Sequence, residues 1–406
     1  MTAPPFLTDR NGGATTAEAL RGRPFNQSAR NLDMAGLGRF ASGAVPFDQA
    51  FSPKTGLGPD FIEPGCLSCH IDRTSARHPS QGEPPGLLVR VSLPGLAPDG
   101  HSLRPVSGYG LQLDTQHVGV GAAEASVSLR WTTHTVRYPD GRRVRLRRPT
   151  ARITPHRGAL PSDVDTSLRM APTVVGLGLL EAIPTGHLRD EAREQVAAGV
   201  VSGRINQVID PRTGQLVVGR FGWKAGQPSV ESQTRAALAN DMGITTAEMD
   251  PQVLSDLIYY TRTVAVPISR GTGTTAVKEG ARLFATVGCA ACHATTQRSG
   301  SSDITQVAHQ TFHPYTDLLL HDMGSGLADG RPDFGASGRE WRTAPLWGLG
   351  RRVEVTGVEA FLHDGRARTP EEAILWHGGE AASARRKFMD LSAADRRRLL
   401  AFLSSL

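Results

Sequence analysis

The sequence predicts a mainly α-helical protein of two domains, with an antiparallel β insertion in the N-terminal one. Three observations carry this expectation. The pattern Cys-x-x-Cys-His occurs twice, as Cys66-Leu67-Ser68-Cys69-His70 and as Cys289-Ala290-Ala291-Cys292-His293, and the two copies start 223 residues apart (289 − 66 = 223). Beyond residue 250, apolar residues recur at helical spacing. Between 87 and 152 they alternate with polar ones, the period of a half-buried strand.

The two motifs use all four cysteines of the chain. Cys-x-x-Cys-His is the attachment signature of c-type haem. Each thiol adds across one porphyrin vinyl group to form a thioether, and the adjacent imidazole ligates the iron. Other readings are weaker. A single pair could be a redox dithiol, and two pairs meeting in space could hold zinc. Zinc ribbons bring their pairs close in sequence, however, and neither alternative calls for His directly after the second Cys. The motifs therefore predict two covalently bound haem c groups, one on Cys66 and Cys69 and one on Cys289 and Cys292. His70 and His293 are their first iron ligands. No thiol is left for a disulfide.

A length of 406 residues fits two or three domains. With 39% hydrophobic and 21% charged residues, the composition is that of an ordinary soluble globular protein. Forty-five Gly and 27 Pro point to many loops. The formal charge of +6 is mild. Basic residues gather at 142–148 and 396–398 without interleaved aromatics, which reads as solvated faces and gives no support to nucleic-acid binding. Such a face could dock an acidic redox protein. No run of 18 apolar residues predicts a membrane span. Met1-Thr2-Ala3-Pro4-Pro5 lacks the basic and apolar regions of a signal peptide. Because c-type haem is normally attached after export, the expectation is a periplasmic protein whose signal has been removed.

In chain order, residues 1–60 read as irregular, with a short helix near 29–38. Strands are expected near 88–93, 125–131 and 144–148, and Asp140-Gly141 is a hairpin signal. Residues 170–183 form an apolar helix or buried segment. Asp250-Pro251 opens a helix to about 264, with Leu254, Leu257, Ile258 and Thr261 on one face. A linker follows, dividing an N-terminal domain (1–268) from a C-terminal one (269–406). The second domain opens with a helix over 276–287 leading into Cys289. Its Gly280 and Phe284 share a face, and in small cytochromes c a small residue and an aromatic at this spacing pack against the C-terminal helix. Both domains are expected to be cytochrome c-like. Here the C-terminal helix is 391–406, opened by Ser392 and Asp395. Thr369-Pro370-Glu371-Glu372 starts a further helix, and Gly378-Gly379 stops it. His377 falls at its end, where it could face a haem or satisfy the last carbonyls.

These stretches resemble a known family, the di-haem oxidoreductases of peroxidase type sometimes called thiol oxidoreductases. The family belongs with the bacterial di-haem cytochrome c peroxidases and MauG-type enzymes. The resemblance rests on GLGP at 56–59, both haem motifs, APTVVGLGLLEAIP at 171–184 and GRFGWKA at 219–225. It continues through NDMG at 240–243, HPYTDLLLHDMG at 313–324 and FLHDGRA at 361–367. It implies several roles. The wider group has a Trp followed by Gln ten residues on, as Trp223 and Gln233 are here. Trp223 would then relay electrons between the haems, and Gln233 would line the distal pocket of the N-terminal haem. The group's acid-Met pair is matched by Asp241-Met242, with Asp in place of Glu, which makes Asp241 an acid/base candidate. Fourteen residues past the His of Leu362-His363-Asp364-Gly365 the group places the sixth ligand of the C-terminal haem, and His377 stands there. Met323 is the rival.

The chain also departs from the family. The acidic stretch that often precedes Ser202-Gly203-Arg204 reads Ala197-Ala198-Gly199-Val200-Val201 here, which leaves calcium unsupported. The additional cysteine pair of many members is absent.

Peroxide reduction requires an open iron site, two electrons and a proton shuttle. Glu181 and Asp241 are the candidate carboxylates, and Glu181 could equally cap a loop. No clear distal ligand stands out for the N-terminal haem. His78 is one option, while His101, His117 and His134 read as ordinary histidines of the β insertion. The leading expectation is a peroxidase-type enzyme fed by a small redox protein, with hydrogen peroxide as substrate. The alternatives are a di-haem electron carrier without substrate, and MauG-like oxidation of a partner protein. Thiol chemistry is not expected, since every Cys is committed to haem.

Overall fold

The computed structural model describes residues 3–18, 23–74, 86–357 and 360–406. Of the histidines named above, His78 lies outside these residues.

The chain is not mainly α-helical, contrary to the sequence expectation. Helices hold 34% of it and strands 21%. Part of the difference lies in the β region, which runs on past 152. Leu87–Leu96 is its central strand, pairing antiparallel with Leu103–Arg104, Gln112–Leu113 and Asp165–Met170. Beside it stands a long hairpin, Ala125–Arg137 with Arg143–Pro155, in unbroken register from Ala125↔Pro155 to Arg137↔Arg143. Its turn is the expected one. Gly141 takes φ +86°, and the Gly141 N–H donates to Tyr138 O at 3.0 Å. The rest of the difference comes from strand pairs of two or three residues, such as Leu320–Asp322 with Glu340–Arg342. Segments this short carry no detectable period.

Several helices sit where local signals put them, whereas Thr185–Ala198, Val230–Met242 and Ala382–Asp390 are not expected from the sequence. Met34–Asp48 is longer than the expected helix and begins at Asp33, whose Oδ1 accepts the Gly36 N–H at 2.7 Å. It crosses Pro251–Thr263 at Gly43, where a Cβ would come within 2.0 Å of Asp256 O. Thr275–Thr286 crosses the C-terminal helix Ala393–Ser405 in the same way. A Cβ on Gly280 would lie 2.0 Å from Arg398 O, and the Phe284 ring meets Phe402 at 5.2 Å between centroids.

Two apolar cores result, and each draws residues from both sides of the 268/269 boundary. The first gathers Phe47, Leu179, Leu238, Leu257 and Tyr260 with Ile304, Phe312 and Trp347. The second gathers Phe284, Leu375, Phe388 and Phe402 with Tyr138 and Leu146 of the long hairpin. Among the described residues no helix is long and apolar enough to cross a membrane.

Candidate functional site: two clefts with a shared wall

Each Cys-x-x-Cys-His motif opens onto its own large cleft. The N-terminal cleft encloses about 1670 Å³ of empty space, its mouth included, and the C-terminal one about 1640 Å³. In the first, Cys66–Cys69 forms one helical turn, and the His70 N–H donates to Cys66 O at 2.7 Å. Gly65 enters this turn against the backbone, since a Cβ there would meet Gln49 O at 2.4 Å. The carbonyls of Thr74 and Pro172 hold the His70 imidazole. Burial lowers the pKa of that ring and pushes the Cys66 thiol up to about 12.

The helix Val230–Met242 also lines this cleft. Gln233, Ala237 and Asp241 stand at i, i+4 and i+8, and all three line the cleft. Asp241 Oδ1 accepts from Gln112 Nε2 at 3.0 Å, and an Arg90 guanidinium nitrogen lies 3.8 Å away. Burial raises the Asp241 carboxyl above the ordinary range, against the opposing pull of Arg90 and Gln112. Among the described residues His70 is the one imidazole lining this cleft.

Glu181 does not line it. Its Oε1 accepts the Val230 N–H at 2.7 Å, at the start of the helix that carries Gln233 and Asp241, and its Oε2 pairs with Arg262 Nε at 2.6 Å. That is the capping role. His117 is likewise engaged elsewhere, with Nδ1 2.8 Å from Asp60 Oδ1, and His134 packs edge-on against Trp376.

The C-terminal cleft takes Cys289, Cys292, His293, Met323 and His377 into its lining. His293 Nδ1 lies 2.9 Å from Tyr315 O, and His377 Nδ1 lies 2.7 Å from Ala373 O. No hydrogen bond is described at Nε2 of either ring. Burial first, with His377 nearby, takes the pKa of His293 down to about 4, so the ring is neutral. His377 is the C-cap of the helix Pro370–Trp376, whose start is set by Thr369 Oγ1 accepting the Glu372 N–H at 3.1 Å. Met323 and His377 both reach the cleft, so position alone does not choose between them.

Beside Cys292 the sequence reading missed an ion cluster. His321 sits between Asp317 and Glu380, each 2.8 Å from a ring nitrogen, with Cys292 Sγ at 3.5 Å. Burial opposes charge there, yet the two carboxylates and Cys292 carry the imidazolium up to about 12. Asp317 and His321 lie in HPYTDLLLHDMG, but Glu380 is 59 residues beyond His321, and nothing in that string says that His321 points at it.

A wall common to both clefts contains Trp223, Arg342, Ala344, Pro345, Phe361 and Leu362. The Trp223 indole N–H donates to Met170 O at 2.6 Å, which fixes the ring. His363 lines the C-terminal cleft and stacks on Trp341, with centroids 3.7 Å apart and planes 9° from parallel.

The donor sets fit two haems. Buried neutral thiols stand beside imidazoles whose Nδ1 is turned to a carbonyl, as metal-ligating histidines require. The surrounding walls are largely apolar.

No curated protein matches the chain. Among solved structures, hydrazine synthase of Kuenenia stuttgartiensis, pressurised with 20 bar xenon, aligns over 96% of this chain and 96% of its own. That alignment has 14% identity and a TM-score of 0.40, a likeness too remote to bear on function. A family model described as "Di-haem oxidoreductase, putative peroxidase" matches residues 100–252 and again 245–406. By that match the chain belongs to the di-haem oxidoreductase family, whose members carry two haems.

Proposed function

We propose that this oxidoreductase is a periplasmic di-haem c peroxidase. Hydrogen peroxide is reduced in the N-terminal cleft, with electrons drawn through the C-terminal cleft from a small redox protein. One observation carries the reading. Gln233 and Asp241 share a helix face in the cleft that holds Cys66, Cys69 and His70, and Trp223 stands in the wall common to both clefts.

Cys66 and Cys69 would hold the first haem by thioether bonds and His70 would ligate its iron; Cys289 and Cys292 would hold the second, with His293 and His377 as its ligands. When bound, the haems supply an open iron position for peroxide on one side and stored electrons on the other. Asp241 would take a proton from one peroxide oxygen and return it to the departing one. The balance is one peroxide, two electrons and two protons to two waters. A carboxyl pKa raised by burial suits this task, because it makes the carboxylate a stronger proton acceptor. Gln112 and Arg90 fix its direction, and Gln233 would offer its amide to peroxide in the same cleft. Trp223 conducts between the clefts. With His377 rather than Met323 as ligand, the second haem would have the lower potential.

The position of Trp223 would serve equally well for oxidising a partner protein, and product analysis with candidate partners separates the two. The first test is the visible spectrum of the oxidised protein before and after peroxide. A high-spin fraction that peroxide consumes supports the peroxidase. Two low-spin haems that ignore peroxide, even after one-electron reduction, would leave an electron carrier.

A further inference from the structure

Arg342 ends the strand Glu340–Arg342 and lines both clefts. It is buried, at 8% exposure. Its Nε donates to Gly222 O at 2.8 Å and its Nη1 to Thr343 O at 3.0 Å. No hydrogen bond is described for Nη2. No carboxylate among the described residues pairs with it. Asp317, the anion whose charge reaches it, is already engaged by His321 and Gln195. Most other buried guanidinium groups among the described residues meet a carboxylate. Arg73 sits on Asp48, Arg169 on Asp333, Arg366 on Asp364 and Arg396 on Asp140. Arg351 and Arg220 do not, and bond Ile268 O and Thr185 Oγ1 instead, but neither lines a cleft as Arg342 does.

A buried guanidinium bonded only to carbonyl oxygens keeps an uncompensated charge, which the interior disfavours strongly. The fork of an Arg is shaped for a carboxylate. The space it faces is the pair of clefts, and a haem brings two carboxylates, its propionates. We infer that Arg342 anchors a haem propionate in the wall between the two clefts.

This inference rests on the reading that the clefts hold haems. It adds that the propionate edge of at least one haem is turned toward the common wall. The Arg342 N–H donates to Trp223 O at 2.9 Å, so the same residue braces the backbone of the proposed relay. Arg342 is thus a positioning residue for that relay as well as a counter-ion.

The test uses the full-length holoprotein, with R342M removing the charge and R342K keeping a cation without the fork. Haem content is measured by pyridine haemochrome, and the two midpoint potentials by spectroelectrochemistry across a pH series. In R342M an unscreened propionate favours the ferric state. At least one potential should fall by a tenfold change in the reduction equilibrium, which is 59 mV for a one-electron couple. It should also gain a pH dependence as that propionate begins to titrate. The potential that moves tells which haem supplies the carboxylate, and movement of both assigns Arg342 to both. R342K guards against a folding failure. It should retain both haems and shift the propionate bending band in resonance Raman spectra. An unshifted band in R342K, or unshifted potentials in an R342M that keeps its haems, overturns the inference. A wild-type protein without haem would instead overturn the reading on which it rests.

Discussion

Asp241 and Glu181 both looked like acid/base candidates in the sequence, and their surroundings separate them. Asp241 faces the N-terminal cleft from the helix face that also holds Gln233, with Gln112 and Arg90 on its carboxylate. Glu181 spends both oxygens on structure, one on the Val230 N–H and one on Arg262. Opposite outcomes follow for their variants. Asp241→Asn should keep both haem spectra and lose peroxide turnover by about 10²–10⁴-fold, the usual worth of a positioned acid/base. In the wild type, kcat/KM for peroxide should rise with pH through the Asp241 pKa, since only the carboxylate form accepts a proton. Burial raises that pKa, so the rise lies above the ordinary carboxyl range, and a stopped-flow pH profile would show whether the Asn variant lacks it. Glu181→Ala should leave turnover per haem unchanged while lowering stability by about 1–3 kcal/mol, from an unsatisfied helix N–H and a stranded cation. Equal loss of turnover in both variants would refute the assignment.

At the scale of elements, the signals readable in sequence were the local ones. Asp250, Thr369 and Ser392 cap their helices as expected, because a cap is settled within three residues. The two Cys-x-x-Cys-His motifs were legible for the same reason, each being five consecutive residues. The reach of the long hairpin was not. Its tip crosses to the C-terminal core and grips the helix that ends at His377. Tyr138 Oη donates to Glu371 Oε1 at 2.7 Å, Arg142 Nη2 donates to Glu371 Oε2 at 2.7 Å, and Arg396 pairs with Asp140 at the turn. The alternation that marked those strands says which face is apolar, and nothing about what the far end touches. Arg342 and Gly222 illustrate the same limit, being 120 residues apart in the chain and bonded in the fold. If the hairpin steadies this helix, Glu371→Ala should destabilise the protein by about 1–2 kcal/mol, from three lost hydrogen bonds to its carboxylate, two of them from the half-exposed Arg142. It should also loosen the C-terminal haem alone, seen as a new high-spin fraction of that haem in electron paramagnetic resonance. A change at the N-terminal haem instead would show that the hairpin acts elsewhere.

For the whole molecule the question is what joins the β region to the C-terminal half. A buried charge cluster does so. Lys224, fully buried, donates to Asp329 Oδ1 at 2.9 Å and to the carbonyls of Arg331 and Ser337 at 2.7 and 2.8 Å. Ser167 and Arg169, on the strand Asp165–Met170, reach Asp329 and Asp333 at 2.5 Å each. The Lys224 ammonium also lies 4.4 Å from the centre of the Trp341 ring, on which His363 stacks. One lysine thus ties a strand from the first half, a loop from the second and the aromatic stack beside the common wall. Lys224→Met should cost about 3–5 kcal/mol, because it leaves buried carboxylates short of a partner. Its pH signature is distinctive. Burial, against the pull of Asp329, holds Lys224 down to about 8, whereas an unfolded lysine titrates at about 10.4. Between those values the unfolded chain binds more protons than the folded one, so this group makes stability rise with pH across that window, and fall as pH drops toward 8. Denaturant midpoints taken through the window should therefore climb more steeply in the wild type than in Lys224→Met. Parallel slopes would mean that the ammonium is not held in the low-dielectric setting that this packing gives it.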